Sequence, residues 1–161
     1  KNVVEAVKVI TDEKIEAFHS IMGRYPHIFI LAEGLSREVA RYFHRLLTTM
    51  GYSVEVPVEE YEFASLLRRV KRDDVLLIMS YSGENPAIIH RIERIFAIAT
   101  PTIISFTRAD SNTIQNMSDL NLYVFADEIN YEGQDVTSRC GMIAIMETLM
   151  YKRLTRSQPP V

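Results

Sequence analysis

Val75-Leu-Leu-Ile-Met79 is an unbroken apolar run of strand length, and Ser80-Tyr-Ser-Gly-Glu-Asn85-Pro86 follows it directly. A strand with one face in water alternates apolar and polar residues, so an uninterrupted run reads as a strand covered on both faces. The polar stretch reads as a loop opening a helix. Asn85 is a good N-cap, Pro86 suits the first helical position, and Ile88, Ile89, Ile92, Ile95 and Phe96 mark one buried helical face.

Strand, loop and helix make half of a βαβ unit, and the same pattern recurs on both sides. Upstream, His27-Ile-Phe-Ile-Leu31 is a second apolar run, Ala32-Glu-Gly-Leu-Ser36 a loop, and Val39, Phe43, Leu46, Leu47 and Met50 a helical stripe. A short strand is expected over residues 52–56 and a helix over 61–70. Before them the chain reads as helix in two pieces. Val3, Val4, Val7 and Ile10 form one stripe, Thr11 is a candidate cap, Ile15, Phe18 and Met22 form a second stripe, and Pro26 ends the segment. Downstream, a strand is expected over 102–106, a capped turn at Asp110-Ser-Asn-Thr113 opening a short helix to Met117, and a fifth strand over 122–125. Residues 127–135 are acidic and irregular.

The last helix is expected over 136–154, leaving 155–161 as a frayed tail. Val136, Cys140, Ile143, Met150 and Leu154 lie on one side of it, and Met142, Ile145, Met146 and Leu149 on another. A helix apolar on two sides must be covered on both, so it sits deep in the domain or meets a second subunit. Apolar strands alternating with amphipathic helices predict an α/β fold: a three-layer α/β/α sandwich with a five-stranded parallel sheet, in one domain over residues 1–154.

Composition narrows the function. The chain has 161 residues, enough for one core, and its 47% hydrophobic and 24% charged residues are those of a globular protein. With 18 basic residues against 21 acidic it lacks the cationic excess that binds phosphate backbones. Cys140 alone makes no internal disulfide, and His19, His27, His44 and His90 are too widely spaced for a zinc pattern, so a reducing cytosol, no metal and no cofactor are expected. The richest apolar stretch, Ile95 to Phe106, is broken by Thr100, Pro101 and Thr102, so no membrane span is expected. The chain opens on Lys1 with no basic leader, and the expectation is a fragment of a longer protein.

In doubly wound sheets ligands bind beyond the carboxyl ends of the strands. The loop after Met79 offers two hydroxyls, a glycine and a fresh helix N-terminus, a set of donors suited to a phosphate. The expected donors are the N–H groups of Gly83 to Asn85 and the hydroxyls of Ser80 and Ser82. The competing reading is a self-capped loop, with Asn85 bonding its own helix and the serines bonding nearby backbone. A set without lysine or arginine suits a monophosphate. There is no Gly-Lys-Ser/Thr loop, no three-glycine dinucleotide fingerprint, and no acidic residue closing the first or third strand. In the first loop Ser36 is either a helix cap or a ligand.

Ser80-Tyr-Ser-Gly-Glu-Asn85 resembles the Ser-x-Ser-Gly-Glu-Thr of sugar isomerase (SIS) domains. Ala32-Glu-Gly-Leu-Ser36 resembles their Gly-x-Gly-x-Ser, and Thr137-Ser-Arg139 their Ser-Ser-Arg. The likeness covers residues 1–154 and is nearest to the effector domain of RpiR-type bacterial transcription regulators. It implies a flavodoxin-like sheet and a phosphosugar held by Gly34, Ser36, Ser80, Tyr81, Ser82, Gly83, Glu84 and Asn85, with Arg139 at the rim. Ala32 stands where the family has glycine, Asn85 where it has threonine, and Glu33 places a carboxylate beside the anion site. Isomerases of this type carry a lysine at the position of Leu35 and a histidine near that of Phe63, so no catalytic residue is expected; Glu84 is shared by members that only bind. His44 and His90 read as packed or solvated.

The resemblance therefore implies a cytoplasmic phosphosugar sensor that binds without catalysis. It implies a homodimer or higher homo-oligomer, and DNA contact only through an N-terminal helix-turn-helix domain that would precede Lys1. A sugar-phosphate isomerase and a degenerate dimerisation scaffold are the alternatives.

Overall fold

The computed structural model describes residues 7–8 and 10–157; Val3 and Val4 of the expected first stripe lie outside them. In chain order the elements are α1 (Asp12–Met22), β1 (Ile28–Ala32), α2 (Leu35–Thr49), β2 (Val54–Glu55), α3 (Glu60–Arg69), β3 (Val75–Met79) and α4 (Pro86–Phe96). They continue with β4 (Thr102–Arg108), α5 (Thr113–Met117), β5 (Leu120–Val124), a hairpin of β6 (Asn130–Tyr131) and β7 (Gln134–Asp135), and α6 (Cys140–Ser157). The five main strands are parallel in the order β2-β1-β3-β4-β5.

Every residue of β1 and of β3 is buried, and each strand divides its side chains between two cores. Ile28, Ile30 and Ala32, with Val75, Leu77 and Met79, pack under α1, α2 and α6. Phe29, Leu31, Leu76 and Ile78 pack under α3, α4 and α5. This period-two division is why neither strand alternates in sequence, and it is the expected three-layer sandwich. β5, at the sheet edge, does alternate in burial.

β2 is shorter than the expected 52–56 for a reason visible in the chain. Ile28 N–H donates to Ser53 O at 2.9 Å, and the register pairs Ile28 with Val54 and Phe29 with Glu55. The next rung needs an N–H at position 57, which is proline, so the ladder stops. β5 starts earlier than expected because Asp119 clamps Ile103: its N–H donates to the Ile103 carbonyl at 3.0 Å and its Oδ2 accepts the Ile103 N–H at 2.8 Å.

The last helix also differs. It begins at Cys140, not Val136, and continues to Ser157, so 155–157 are helical instead of frayed. Residues 136–139 are held out of the helix by side chains: Thr137 Oγ1 accepts the Ile129 N–H at 3.0 Å, and Thr137 N–H donates to Asp135 at 2.9 Å. Within the chain α6 is covered on one face. Met142, Ile145, Met146, Leu149 and Met150 are buried, whereas Cys140, Tyr151 and Leu154 are exposed.

The loop after β3 is fixed to its neighbour by a missing side chain. Gly83 has φ +69°, and a Cβ there would lie 1.9 Å from Asn112 Oδ1, the atom that caps α5 by accepting the Gln115 N–H at 2.8 Å. Gly34 has φ +57° but open space around its missing Cβ. Gly34→Ala should therefore cost only backbone strain, ~1–2 kcal/mol. Gly83→Ala should cost that plus a displaced cap, about 2–4 kcal/mol in all. Urea unfolding of the two variants checks this, and equal losses would refute the packing argument.

Candidate functional site

Strand order reverses between β1 and β3, whose following helices leave to opposite faces of the sheet: α2 to one core, α4 to the other. A crevice must open where the two chains part. It is a cleft of about 510 Å³, lined by the loops after β1 and β3, the hairpin and the residues before α6. Of the sequence-predicted residues, Gly34, Ser36, Ser80, Tyr81, Ser82, Asn85 and Arg139 line it. Gly83 and Glu84 do not: Gly83 packs on Asn112, and Glu84 turns away to accept from Thr113 N at 2.8 Å and Thr113 Oγ1 at 2.7 Å. Hydrogen bonds from the Thr113 side chain and backbone hold the Glu84 carboxyl below its ordinary range.

Ser36 is not a cap. Gly34 takes the N-cap position of α2 with no side-chain cap, and Ser36, buried in the first turn, accepts from Arg139 Nε at 3.0 Å. The hydroxyl hydrogen of Ser36 therefore remains available to a ligand. Ser80 is also buried. The self-capped reading of the second loop is realised in part. Asn85 Oδ1 caps α4 through the Ile88 N–H at 3.1 Å, Gly83 N–H donates to Ser80 O at 3.1 Å, and Glu84 N–H donates to Ser82 Oγ at 3.1 Å. Two of the three backbone donors expected for a phosphate are thus occupied. Among the described residues no acceptor takes the N–H groups of Ser82 and Asn85. Ala32, where the family has glycine, places its side chain in the α1–α2–α6 core.

Each carboxylate lining the cleft is paired with an arginine. Glu33 bonds Arg37 at 2.7 Å, Glu128 bonds Arg108 at 2.8 Å, and Asp135 bonds Arg139 at 2.7 Å. Arg139, only 11% exposed, also donates to Thr137 O at 2.6 Å, so all three of its nitrogens are engaged and the side chain is fixed. Burial pushes the Asp135 carboxyl up, but bonds from Arg139 and Thr137 outweigh it and hold it at about 2. Because that lies below the unfolded value of 3.8, the pair stabilises the fold above that pH, and the contribution is lost as pH falls through about 2. Tyr81 donates its hydroxyl to Ala126 O at 2.8 Å, tying the loop to the segment after β5. Burial, then Glu128, push its phenol pKa up.

No lysine or histidine lines the cleft among the described residues. Leu35 does line it, while Phe63 lies fully buried in the other core under the guanidinium groups of Arg91 and Arg94. His44 and His90 are exposed elsewhere, and His19 is buried with Nε2 3.0 Å from Leu149 O. Sequence reading missed Arg108, Glu128, Asn130, Gln134 and Asp135, which the hairpin and the end of β4 bring to the rim. The local signals were two four-residue spacings, Glu33 with Arg37 and Asp135 with Arg139, each an ion pair that neutralises a cleft carboxylate.

Comparison with known proteins agrees with this fold. The NanR protein of Vibrio vulnificus, solved in complex with ManNAc-6P, is similar at 18% identity and TM-score 0.83, over 97% of this chain and 59% of its own. The chain thus spans well under two thirds of that protein. The sugar isomerase domain of an RpiR transcription factor from Sphaerobacter thermophilus is similar at 17% identity and TM-score 0.81, over 96% of this chain and 84% of its own. The protein MJ1247 of Methanococcus jannaschii, whose structure infers the function of 3-hexulose-6-phosphate isomerase, is similar at 16% identity and TM-score 0.73, over 96% of this chain and 86% of its own. At these identities the likeness establishes the fold, which both regulators and isomerases use. The SIS domain family model matches residues 22–149, spanning the sheet, both donor loops and most of α6, and the chain belongs to the SIS domain family.

Proposed function

We propose that this chain is the phosphosugar-sensing effector domain of a bacterial transcription regulator, and that it binds its ligand without turning it over. The phosphate sits between the first turns of α2 and α4, held by the hydroxyls of Ser36, Ser80 and Ser82 and the N–H groups of Ser82 and Asn85. The sugar faces Tyr81, Arg139 and the hairpin. Gly34, Gly83 and Glu84 shape and brace the two loops without touching the ligand.

The observation that carries the reading is the pairing of every cleft carboxylate with an arginine. Isomerisation needs a base with a pKa near the working pH. Asp135 is pulled to about 2, the opposite direction, and no histidine or lysine of the described residues lines the cleft. Regulators similar in fold, one of them bound to a sugar phosphate, support the same reading.

A second copy of the chain covers the outer face of α6 and α2. Tyr42, Tyr151 and Leu154 are each more than 40% exposed there, and Tyr151 donates to Glu147 at 2.7 Å. Ligand would then act by its difference in affinity between two packings of the pair. DNA is contacted through a separate helix-turn-helix domain, in the cytoplasm.

Calorimetry against hexose, pentose and amino-sugar phosphates should find at least one that binds better than inorganic phosphate; failure of all would end the sensor reading. Ser80→Ala and Ser82→Ala should each weaken that ligand about tenfold or more, the cost of one hydrogen bond to a charged group. Substrate deuterated at C2 should keep its label in the presence of the protein, whereas loss to solvent would assign an isomerase. Tyr42→Arg should shift the sedimenting species from dimer to monomer with no fall in ligand-free secondary structure, and an unchanged oligomer would exclude this face.

A further inference from the structure

A second cavity lies away from the donor loops. It encloses about 750 Å³ at the β2 edge of the sheet, between α2 in one layer and α3 in the other. Its apolar lining is Val56, partly exposed, and the margin of Val54, with Phe29 and Leu66 buried in the core behind them and the Arg69 guanidinium over the Phe29 ring. The cavity exists because β2 is an edge strand cut short by Pro57. The register leaves the Val54 N–H and C=O directed away from β1, so an outer wall of the cavity is unpaired sheet edge.

The charges around it are unequally committed. Glu55 accepts from both Arg69 terminal nitrogens, at 2.7 and 2.8 Å, and Glu62 Oε1 accepts the N–H groups of Val58 and Glu59 at 3.3 and 2.9 Å. Both carboxylates are therefore tied to partners. On the facing bank α2 presents Arg41, His44 and Arg45 at helical spacing. Arg41 reaches Glu38 only at 3.5 Å, and neither the His44 ring nor the Arg45 guanidinium has a partner among the described residues. Tyr61, 75% exposed, stands on the opposite rim. The uncommitted charge of the cavity is positive, Val56 gives it an apolar side, and an aromatic ring stands free at its mouth.

We propose that this cavity is a second ligand site, for an organic anion with a flat aromatic body. The body lies across Val56 and the margin of Val54 and stacks against Tyr61, while the anionic group meets Arg41 and Arg45. Its volume falls within the roughly 300–1,000 Å³ usual for small-molecule sites. Arginine suits the role because its planar fork both pairs with an anion and stacks on aromatic faces. The proposal is independent of the phosphosugar reading, since it shares no lining residue with the cleft.

The test is a two-dimensional ¹H–¹⁵N spectrum of the whole chain titrated with 8-anilinonaphthalene-1-sulfonate. Its comparison is N-phenyl-1-naphthylamine, which has the same aromatic body without the anion. Amide shifts should concentrate at residues 44–45, 54–56 and 61–69, leaving 80–85 unmoved. The neutral compound and the Arg41→Glu, Arg45→Glu double variant should each bind about tenfold or more weakly. Both arginines are exposed, so the variant should keep the dispersed spectrum of the folded chain. Shifts confined to 80–85, absence of shifts at millimolar probe, or equal binding of the charged and neutral compounds would each overturn the proposal. A failure here would leave the cleft assignment intact, because calorimetry with sugar phosphates reads the other site.

Discussion

The pairing of β1 with β3 is the constraint on which the rest of the molecule depends. Five rungs run without slip from Ile28 opposite Val75 to Ala32 opposite Met79, so the two strands end at one level. A one-residue slip would exchange the cores of every side chain, setting Phe29 and Leu31 where Ile28 and Ile30 belong. It would also stagger the loops. Because the register holds, Glu33 to Ser36 and Ser80 to Asn85 start side by side, and the N-termini of α2 and α4 open onto the same cleft. The donors for an anion are thus a consequence of how two apolar strands divide their side chains.

Three arginine–carboxylate pairs line or border that cleft, and their arrangement is asymmetric. Glu33 with Arg37 ties the loop before α2 to that helix's first turn, and Glu128 with Arg108 links the segment after β5 to β4. Arg139 is different, since it joins Ser36 on α2 to Asp135 on the hairpin and to the turn before α6. An anion seated beside Ser36 would have to compete with Asp135 for that guanidinium. Any shift of Arg139 is then felt at the hairpin, and also where α6 begins, the helix whose outer face the subunit leaves uncovered.

How much of this the sequence revealed follows from the range of the interactions. β3, its loop and α4 were readable because every signal is local: the apolar run, the Asn85 cap, the proline at the first helical position. The fold class followed from repetition of that pattern. The turn of Glu84 out of the cleft was not legible, because its partner, Thr113, lies 29 residues away and no local rule points to it. The start of α6 was misread for the same reason. The apolar period continues back through Val136, but the bonds that keep 136–139 out of the helix reach to Ile129 and, across 103 residues, to Ser36. β2 is a case where the evidence was local and unused, since Pro57 alone ends its ladder.

α2 is the element shared by the two cavities. Its first turn carries Ser36 into the cleft, and eight to nine residues on, His44 and Arg45 border the β2-edge cavity. At 1.5 Å rise per residue the two positions lie roughly 13 Å apart along one rigid helix. Phe43, Val39 and Leu47 hold the inner face of that helix in the core between them, so a displacement along its axis cannot be absorbed locally. An occupant of one cavity that displaced α2 would change the affinity of the other, and by reciprocity the second would act equally on the first. The sign of that coupling depends on which way Arg45 draws the helix. Drawing Ser36 away from Arg139 would loosen the grip on the anion, and pressing it toward Ser80 would tighten it.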